Sequence, residues 1–372
     1  MVDTDKMIYE EDDDSLLASA KIKVFGVGGG GSNAVNRMLV KKSEKVEYWV
    51  MNTDCQALAQ SRCLNKLVLG RSLTKGLGAG GNPERGKEAA VASLSAIKNI
   101  VSGADMIFIA CGEGGGTGTG AAPIIAQVSK ESGALVVGVV TRPFSFEGAR
   151  RRDNANRGIA ELKKQVDSLI VVSNDKLVFN NGKLPITEAF SESDKILVDS
   201  VKTVSDLILV QGLINLDFAD VKSTLENKGL ALIGFGFGSG EKKGIQAAQD
   251  ALKSPLLEAS ITGSKSMIIN AVVSKDTSLD DVRFAIDYIT EKATGHKNGC
   301  PDVSIIFGVQ VDNTFKDKMK ICIIATEFQR CGISDEFILN ENNNDRRISE
   351  TEKEIERMKK LSVEPDYLKG GK

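Results

Sequence analysis

The chain has 372 residues, too long for one ordinary domain and suited to two with short tails. Its 41% apolar and 26% charged residues are globular values, which exclude a disordered or fibrous bulk. A formal net charge of −2 without a dominant basic block leaves no electrostatic footprint for nucleic acid. The apolar runs fall short of the roughly 20 residues that span a bilayer, so direct membrane insertion is not expected.

Taken in chain order, residues 1–20 read as an acidic tail, with Glu10 to Asp14 unlike a signal or transit peptide. Apolar runs at 21–25, 47–52, 66–70, 105–111, 134–140 and 167–172 then alternate with helix-like stretches. Such alternation predicts an α/β fold with a parallel, Rossmann-like sheet covered on both faces, over residues 21–187. From Pro185 to Val210, Ile196, Leu197, Val201, Val204, Leu207 and Ile208 recur at helical spacing and predict one long connecting helix. Residues 188–220 are assigned to that central helix and the loop after it. Runs such as LALIGFGFG, KSMIINAVV, VSIIFGVQV and KICIIATEF predict a smaller α/β domain over 221–328. Residues 329–372 form a polar tail ending in VEPDYLK. Six scattered cysteines without a CxxC pair fit reduced thiols, and the sole histidine, His296, speaks against a multi-histidine metal site.

The strongest chemical signal is GGGTGTG at 114–120, directly after the strand DMIFIAC and directly before a helix. Bare glycine backbone lets several N–H groups converge on an anion, and the helix start adds its positive dipole end. Thr117 and Thr119 offer hydroxyls beside it. A second cluster, GVGGGGSN at 26–33, also follows a strand and opens a helix. Alone, its Gly26, Gly28 and Gly31 would suit a dinucleotide, with Asp54 on the ribose of NAD. Two glycine loops at the carboxyl ends of strands in one sheet suit a single triphosphate gripped from two sides. Gly81, Gly86 and Lys87 imitate a P-loop, but the stretch lacks the Ser/Thr that would meet Mg²⁺ and carries Pro83. Its GAGGNP portion is left as a third loop for the terminal phosphate.

GGGTGTG, FSFEGARRR at 144–152 and GLINLDFADVK at 212–222 occur in an order that resembles the FtsZ family within the tubulin superfamily, from about Lys21 to Phe328. GGGGSNAVNRM and VEYWVMNTD resemble its plastid members. The resemblance implies a GTP-binding domain, a central helix, a C-terminal domain and head-to-tail filaments that form a division ring. It implies phosphate contacts at Gly29, Gly30, Gly31, Ser32 and Asn33 and at Gly115, Gly116, Thr117, Gly118 and Thr119. It further implies ribose and base contacts at Glu147 and Arg151, and guanine contacts at Asn174 and Asp194. The bland alternatives are an i,i+4 ion pair for Glu147 and Arg151 and an exposed helix-start acid for Asp194. GTP or GDP is the expected ligand, with Mg²⁺ accompanying it.

Asn215, Asp217 and Asp220 cluster where a loop meets a helix; by themselves they would be capping acids, and the resemblance implies catalysis. Asp217 follows Asp194 by 23 residues, which at 1.5 Å per helical residue is roughly 35 Å. No triphosphate bridges that span, so hydrolysis is expected to depend on the next subunit. The C-terminal VEPDYLK resembles the family's adaptor-docking peptide, so Tyr367 and Leu368 are expected to bind a membrane adaptor. A paralogue is a possible co-polymer. The expected location is the cytoplasm at a division site, or a plastid stroma if a transit segment has been removed. A non-hydrolysing filament scaffold and an NAD-linked oxidoreductase are the alternative functions.

Overall fold

Six strands build the first half of the molecule, and β4 (Met106–Gly112), β5 (Leu135–Arg142) and β6 (Ser168–Ser173) are buried almost throughout, as strands covered on both faces must be. They follow β1 (Ile22–Val27), β2 (Val46–Asn52) and β3 (Asn65–Val68), all close to the expected runs. The computed structural model describes residues 20–41, 43–179, 185–254, 256–257, 259–294 and 303–328. Helices α1 (Gly28–Met38), α2 (Cys55–Gln60), α3 (Arg71–Thr74), α4 (Pro83–Val91), α5 (Leu94–Val101), α6 (Thr117–Glu131), α7 (Ala149–Lys163) and α8 (Asn174–Phe179) fill the connections.

The six strands are parallel in the order β3-β2-β1-β4-β5-β6, with β1 paired to β2 on one side and to β4 on the other. The order reverses between β1 and β4, and the crevice outside the carboxyl ends of two such strands is where open α/β sheets receive ligands. Both glycine clusters sit there, one after each strand.

The sheet does not stop at the first half. Ser168, Leu169 and Ile170 of β6 pair in parallel with Gly229, Leu230 and Ala231 of β7 (Gly229–Ser239). Beyond β7 come β10 (Lys318–Phe328), β8 (Ser264–Val273) and β9 (Ser304–Val311), the first two pairings antiparallel and the last parallel. Alternation sorts β10: Met319, Ile321, Ile323 and Ala325 face a core shared with α11 (Lys243–Leu252) and α12 (Leu279–Thr294), whereas Cys322 and Ile324 face the other side. The glycines of LALIGFGFG have a packing cause. Added Cβ atoms at Gly234, Gly236 and Gly238 would lie 2.6, 2.0 and 1.9 Å from the carbonyl oxygens of Ala251, Ala247 and Lys243, so α11 rests directly on β7.

Helix α9 (Ile186–Leu209) spans both halves. Its Ile196, Leu197, Val201, Val204 and Leu207 are buried in one core with Val137, Val139, Ile170, Val172, Ile233 and Ile324. At about 1.5–3 kcal/mol for each fully buried aliphatic side chain, this stripe is a major tie between the sheet's two parts. Asp194 lies eight residues inside α9, not at its start, and the helix runs 15 residues further to Leu209, a rise of about 22 Å. The figure of roughly 35 Å treated every residue to Asp217 as helical. Residues 210–217 are not helix, so only the stretch to Leu209 is a helical rise.

Candidate nucleotide site and acidic loop

The two glycine loops touch. A Cβ on Gly28, whose φ is +71°, would sit 2.8 Å from the Gly118 backbone nitrogen, and one on Gly30 would sit 3.2 Å from the Gly112 nitrogen. By contrast, Gly29 and Gly115 have no neighbouring atom of the described residues within 4 Å of an added Cβ, so packing among those residues does not explain why they are glycine. Of the helices that follow, neither α1 nor α6 has a capping side chain or an acid in its first turn among the described residues, a state they share with α7. Elsewhere Asp54 caps α2, Asn82 caps α4 and Asp217 caps α10, the last helix being Phe218–Leu225. Two adjacent uncapped helix starts leave N–H groups and positive dipole ends directed at one place, which is the arrangement that holds an anion.

Side chains around the loops are only partly free. The Thr117 hydroxyl lies 2.7 Å from that of Thr53, and Thr119 Oγ1 accepts the Gly114 N–H at 2.9 Å, which commits Thr119 to the protein. Ser32 is buried and its hydroxyl has no hydrogen-bond partner among the described residues, whereas Asn33 is exposed. Asn82 borders the phosphate loop, since a Cβ on Gly116 would lie 2.9 Å from its nitrogen, and Gly80 and Gly81 face open space. The P-loop imitation is helix: Gly86 belongs to α4, and its added Cβ would meet the Gly116 carbonyl oxygen at 2.3 Å. That glycine serves helix packing.

A second group gathers at the ends of β5 and β6. Asn174 begins α8 and is buried; its Oδ1 accepts from the Ser193 hydroxyl at 2.6 Å, which places it beside Asp194. Asp194 pairs with Arg37 Nε at 3.0 Å. Burial pushes its carboxyl above the usual range and the Arg37 guanidinium opposes that shift. Asp194 is thus a half-buried, paired acid in mid-helix. Glu147 and Arg151 do form the i,i+4 ion pair, and Glu147 Oε1 also accepts the Phe144 N–H at 2.9 Å. Phe190 escaped sequence reasoning although it lies four residues before Asp194, on the same face of α9. It is 42% exposed and meets Phe144 edge-on at 5.1 Å, an aromatic surface next to the acid.

Glu113, the residue before the first loop glycine, was also passed over. It is 5% exposed, and burial pushes its carboxyl up to about 7 against the lowering effects of Cys111, Thr119 and Arg142.

Asn215, Asp217 and Asp220 come together at the far end of α9. Asn215 Oδ1 accepts the Gly212 N–H at 2.6 Å, and Asp217 Oδ1 accepts the Asp220 N–H at 2.7 Å as the N-cap of α10. The loop is pinned to β9, with Leu213 N–H donating to the Val309 carbonyl at 2.7 Å and Val309 N–H to the Ile214 carbonyl at 3.1 Å. Leu213 is 74% exposed beside the acids. His296 and the C-terminal peptide lie outside the described residues, in which no helix is long and apolar enough to cross a membrane.

Comparison with known proteins agrees with this architecture. Residues 21–181 match the model of the tubulin/FtsZ family GTPase domain, and residues 229–329 match that of the FtsZ family C-terminal domain. An empty FtsZ dimer from M. jannaschii is 39% identical and superposes with a TM-score of 0.78 over 86% of this chain and 93% of that one. A mutant of M. jannaschii FtsZ is also 39% identical, with a TM-score of 0.79 over 86% and 96%. CetZ2 from Haloferax volcanii, a GTPγS-bound protofilament, is 18% identical with a TM-score of 0.73 over 89% and 99%, which shows the shared fold alone. These relatives lend no support to the plastid likeness. The oxidoreductase alternative falls, because Asp54, its proposed ribose contact, is spent on capping α2 and the matched domain is a GTPase. With both family models matched in order and this identity over most of both chains, the chain belongs to the FtsZ family, GTP-binding, GTP-hydrolysing relatives of tubulin that form cytoskeletal filaments.

Proposed function

We propose that each subunit binds GTP across its two glycine loops and hydrolyses it only when the acidic loop of the next subunit in a head-to-tail filament closes the pocket. Gly29, Gly30, Gly31, Ser32 and Asn33 and Gly115, Gly116, Thr117, Gly118 and Thr119 make up the phosphate wall, with backbone N–H groups as the principal donors. Glu147 and Arg151 take the ribose and base edge, exchanging part of their mutual ion pair for the ligand. Asn174 and Asp194 read guanine: its N1–H and N2–H₂ are adjacent donors, for which an ionised carboxylate is a bidentate acceptor. Phe190, one turn before Asp194, supplies a ring on which the base stacks. Mg²⁺ bound to the phosphate oxygens would neutralise charge that develops on them.

The observation that carries the reading in trans is the separation along α9. Asp194 and the acids stand at opposite ends of a rise of about 22 Å, and the acidic loop is bonded to β9 in the other half of the sheet. Asp217 and Asp220 would accept hydrogen bonds from the attacking water and hold it in line with the γ-phosphorus, while Asn215 shapes the loop. A surface that joins the pocket face of one copy to the acid face of another is heterologous and does not close, so it propagates a filament.

Phosphate release measured against protein concentration tests this. The rate per subunit is expected to be near zero at dilution and to rise steeply where filaments form; a rate per subunit that stays constant on dilution contradicts it. Filaments without any phosphate release would mark a non-hydrolysing scaffold.

The same reading puts the filaments in a ring at a division site, in the cytoplasm or a plastid stroma, with a paralogue as a possible co-polymer. Tyr367 and Leu368 would tether them to a membrane adaptor, which rests on sequence alone. Deleting residues 362–372 is expected to abolish membrane recruitment and spare GTP hydrolysis.

A further inference from the structure

Directly behind the phosphate loop lies a carboxyl group that the reading above does not use. Glu113 joins the end of β4 to Gly114 and is buried. Its Oε1 accepts from the Cys111 thiol at 3.4 Å, and the Thr119 hydroxyl bonds to the same carboxyl. Thr119 Oγ1 in turn accepts the Gly114 N–H at 2.9 Å, so Glu113, Thr119 and Gly114 form a chain that fixes how the loop leaves the strand. Helix α7 is shaped around the group: a Cβ on Gly158 would lie 2.4 Å from Glu113 Oε2 and 2.3 Å from Thr119 Cγ2. Oε2 itself has no hydrogen-bond partner among the described residues.

We propose that Glu113 is a positioning residue of the phosphate loop that works as the neutral acid, so that nucleotide binding draws a proton onto it. The inference rests on the nucleotide reading given above. A buried carboxylate with one unanswered oxygen is costly, and the neutral acid is less so. The titratable and charged groups that act on Glu113 are Cys111 from β4 and Arg142 from β5; α6 presents Thr119 and α7 presents Gly158, neither of which titrates. Arg142 favours the ionised form, but burial outweighs it and places the group at about 7, near half-protonation in neutral solution. Phosphates docking on the other side of the same loop add like charge, which raises proton affinity further. The sign follows from linkage. Binding is tightest below the free protein's pKa and weakens as pH rises from there through the higher pKa of the complex.

The test uses GDP, which is not hydrolysed, with the full chain and its Glu113→Gln variant. Calorimetric titration near pH 7 in two buffers of different ionisation heat counts the protons exchanged, and a second series measures Kd between about pH 6 and about pH 8.5. Wild type is expected to take up a fraction of a proton beyond the nucleotide's own titration. Its Kd should weaken up to about tenfold across the range if binding moves the pKa by one unit. Glu113→Gln, a permanent neutral mimic, should show neither. Equal proton balance and equal pH slope in the two proteins overturn the proposal. Should the variant not fold, wild-type binding with no proton uptake, or with release, overturns it alone. Failure of the wild type to bind GDP at any pH would instead sink the nucleotide reading.

Discussion

The Arg37 guanidinium meets the Asp194 carboxylate at 3.0 Å, joining the last turn of α1 to the middle of α9. Helix α1 therefore has the phosphate loop at one end and a grip on the base-reading acid at the other. Half-exposed ion pairs contribute only about 0–1 kcal/mol to stability, so Arg37→Ala is expected to leave the fold intact. It should weaken GTP several-fold by releasing Asp194 from its position. Asp194→Asn removes an ionic acceptor worth about 1.5–3 kcal/mol and is expected to cost tenfold or more in GTP affinity while narrowing the gap to ATP. Competition binding with both nucleotides checks the pair; unchanged GTP preference in Asp194→Asn would remove guanine reading from this residue.

Two neighbouring glycines separate ligand space from packing. Among the described residues an added Cβ at Gly29 meets nothing within 4 Å, whereas at Gly31 it meets the Ala110 carbonyl oxygen at 2.1 Å. Gly29→Ala should unfold within about 0.5 kcal/mol of wild type yet bind nucleotide poorly. Gly31→Ala should destabilise by about 1–3 kcal/mol or more through overpacking. Denaturant unfolding alongside GDP titration distinguishes them, and full GDP affinity in Gly29→Ala would count against the cradle.

Asp217 has a structural duty as well as its proposed chemical one. Because its carboxylate caps α10, Asp217→Ala is expected to cost about 0.5–2 kcal/mol. Asp217→Asn keeps a capping oxygen and should fold like wild type, yet lose most phosphate release in the assembled state. Hydrolysis at the wild-type rate in Asp217→Asn filaments would reduce the residue to its cap.

Glu113 also predicts a pH dependence of stability. Its folded-state pKa is raised from 4.5 to about 7, so its contribution is fully present below about pH 4.5 and is lost as pH rises to about 7. Above that, the ionised group costs up to about 3 kcal/mol, from the shift at 1.36 kcal/mol per unit. Glu113→Gln should therefore gain on wild type in thermal unfolding as pH rises from about 5 to about 8; a constant difference would place the carboxyl in a wetter setting.

Most of the frame is legible in the letters because burial on two faces writes β4, β5 and β6 as unbroken apolar runs, and because α9 repeats its aliphatics at helical spacing. The glycine loops are legible for a related reason: strand, glycines and helix start follow one another along the chain. What escapes depends on contacts between distant segments. Nothing near Asp194 announces Arg37, and nothing near Asn174 announces Ser193. The continuation of the sheet from β6 to β7 is equally silent, since it pairs strands separated by the whole of α9. Glu113 left one local hint, a carboxylate between a buried strand and a glycine run, where charge is out of place. Phe190 left another, an aromatic one helical turn from the base-reading acid.

The central claim is that pocket and acids from different subunits make one active site, and complementation in a mixture tests it most directly. Asp217→Asn retains the pocket and lacks the acid; Asp194→Ala retains the acid and lacks guanine recognition. Each alone is expected to release almost no phosphate at concentrations where wild type assembles. Mixed in equal amounts, they should recover up to about a quarter of wild-type activity, the share of interfaces that pair an intact pocket with an intact loop in a random head-to-tail filament. No recovery in mixtures that demonstrably co-assemble, or full activity in either variant by itself, would contradict the account.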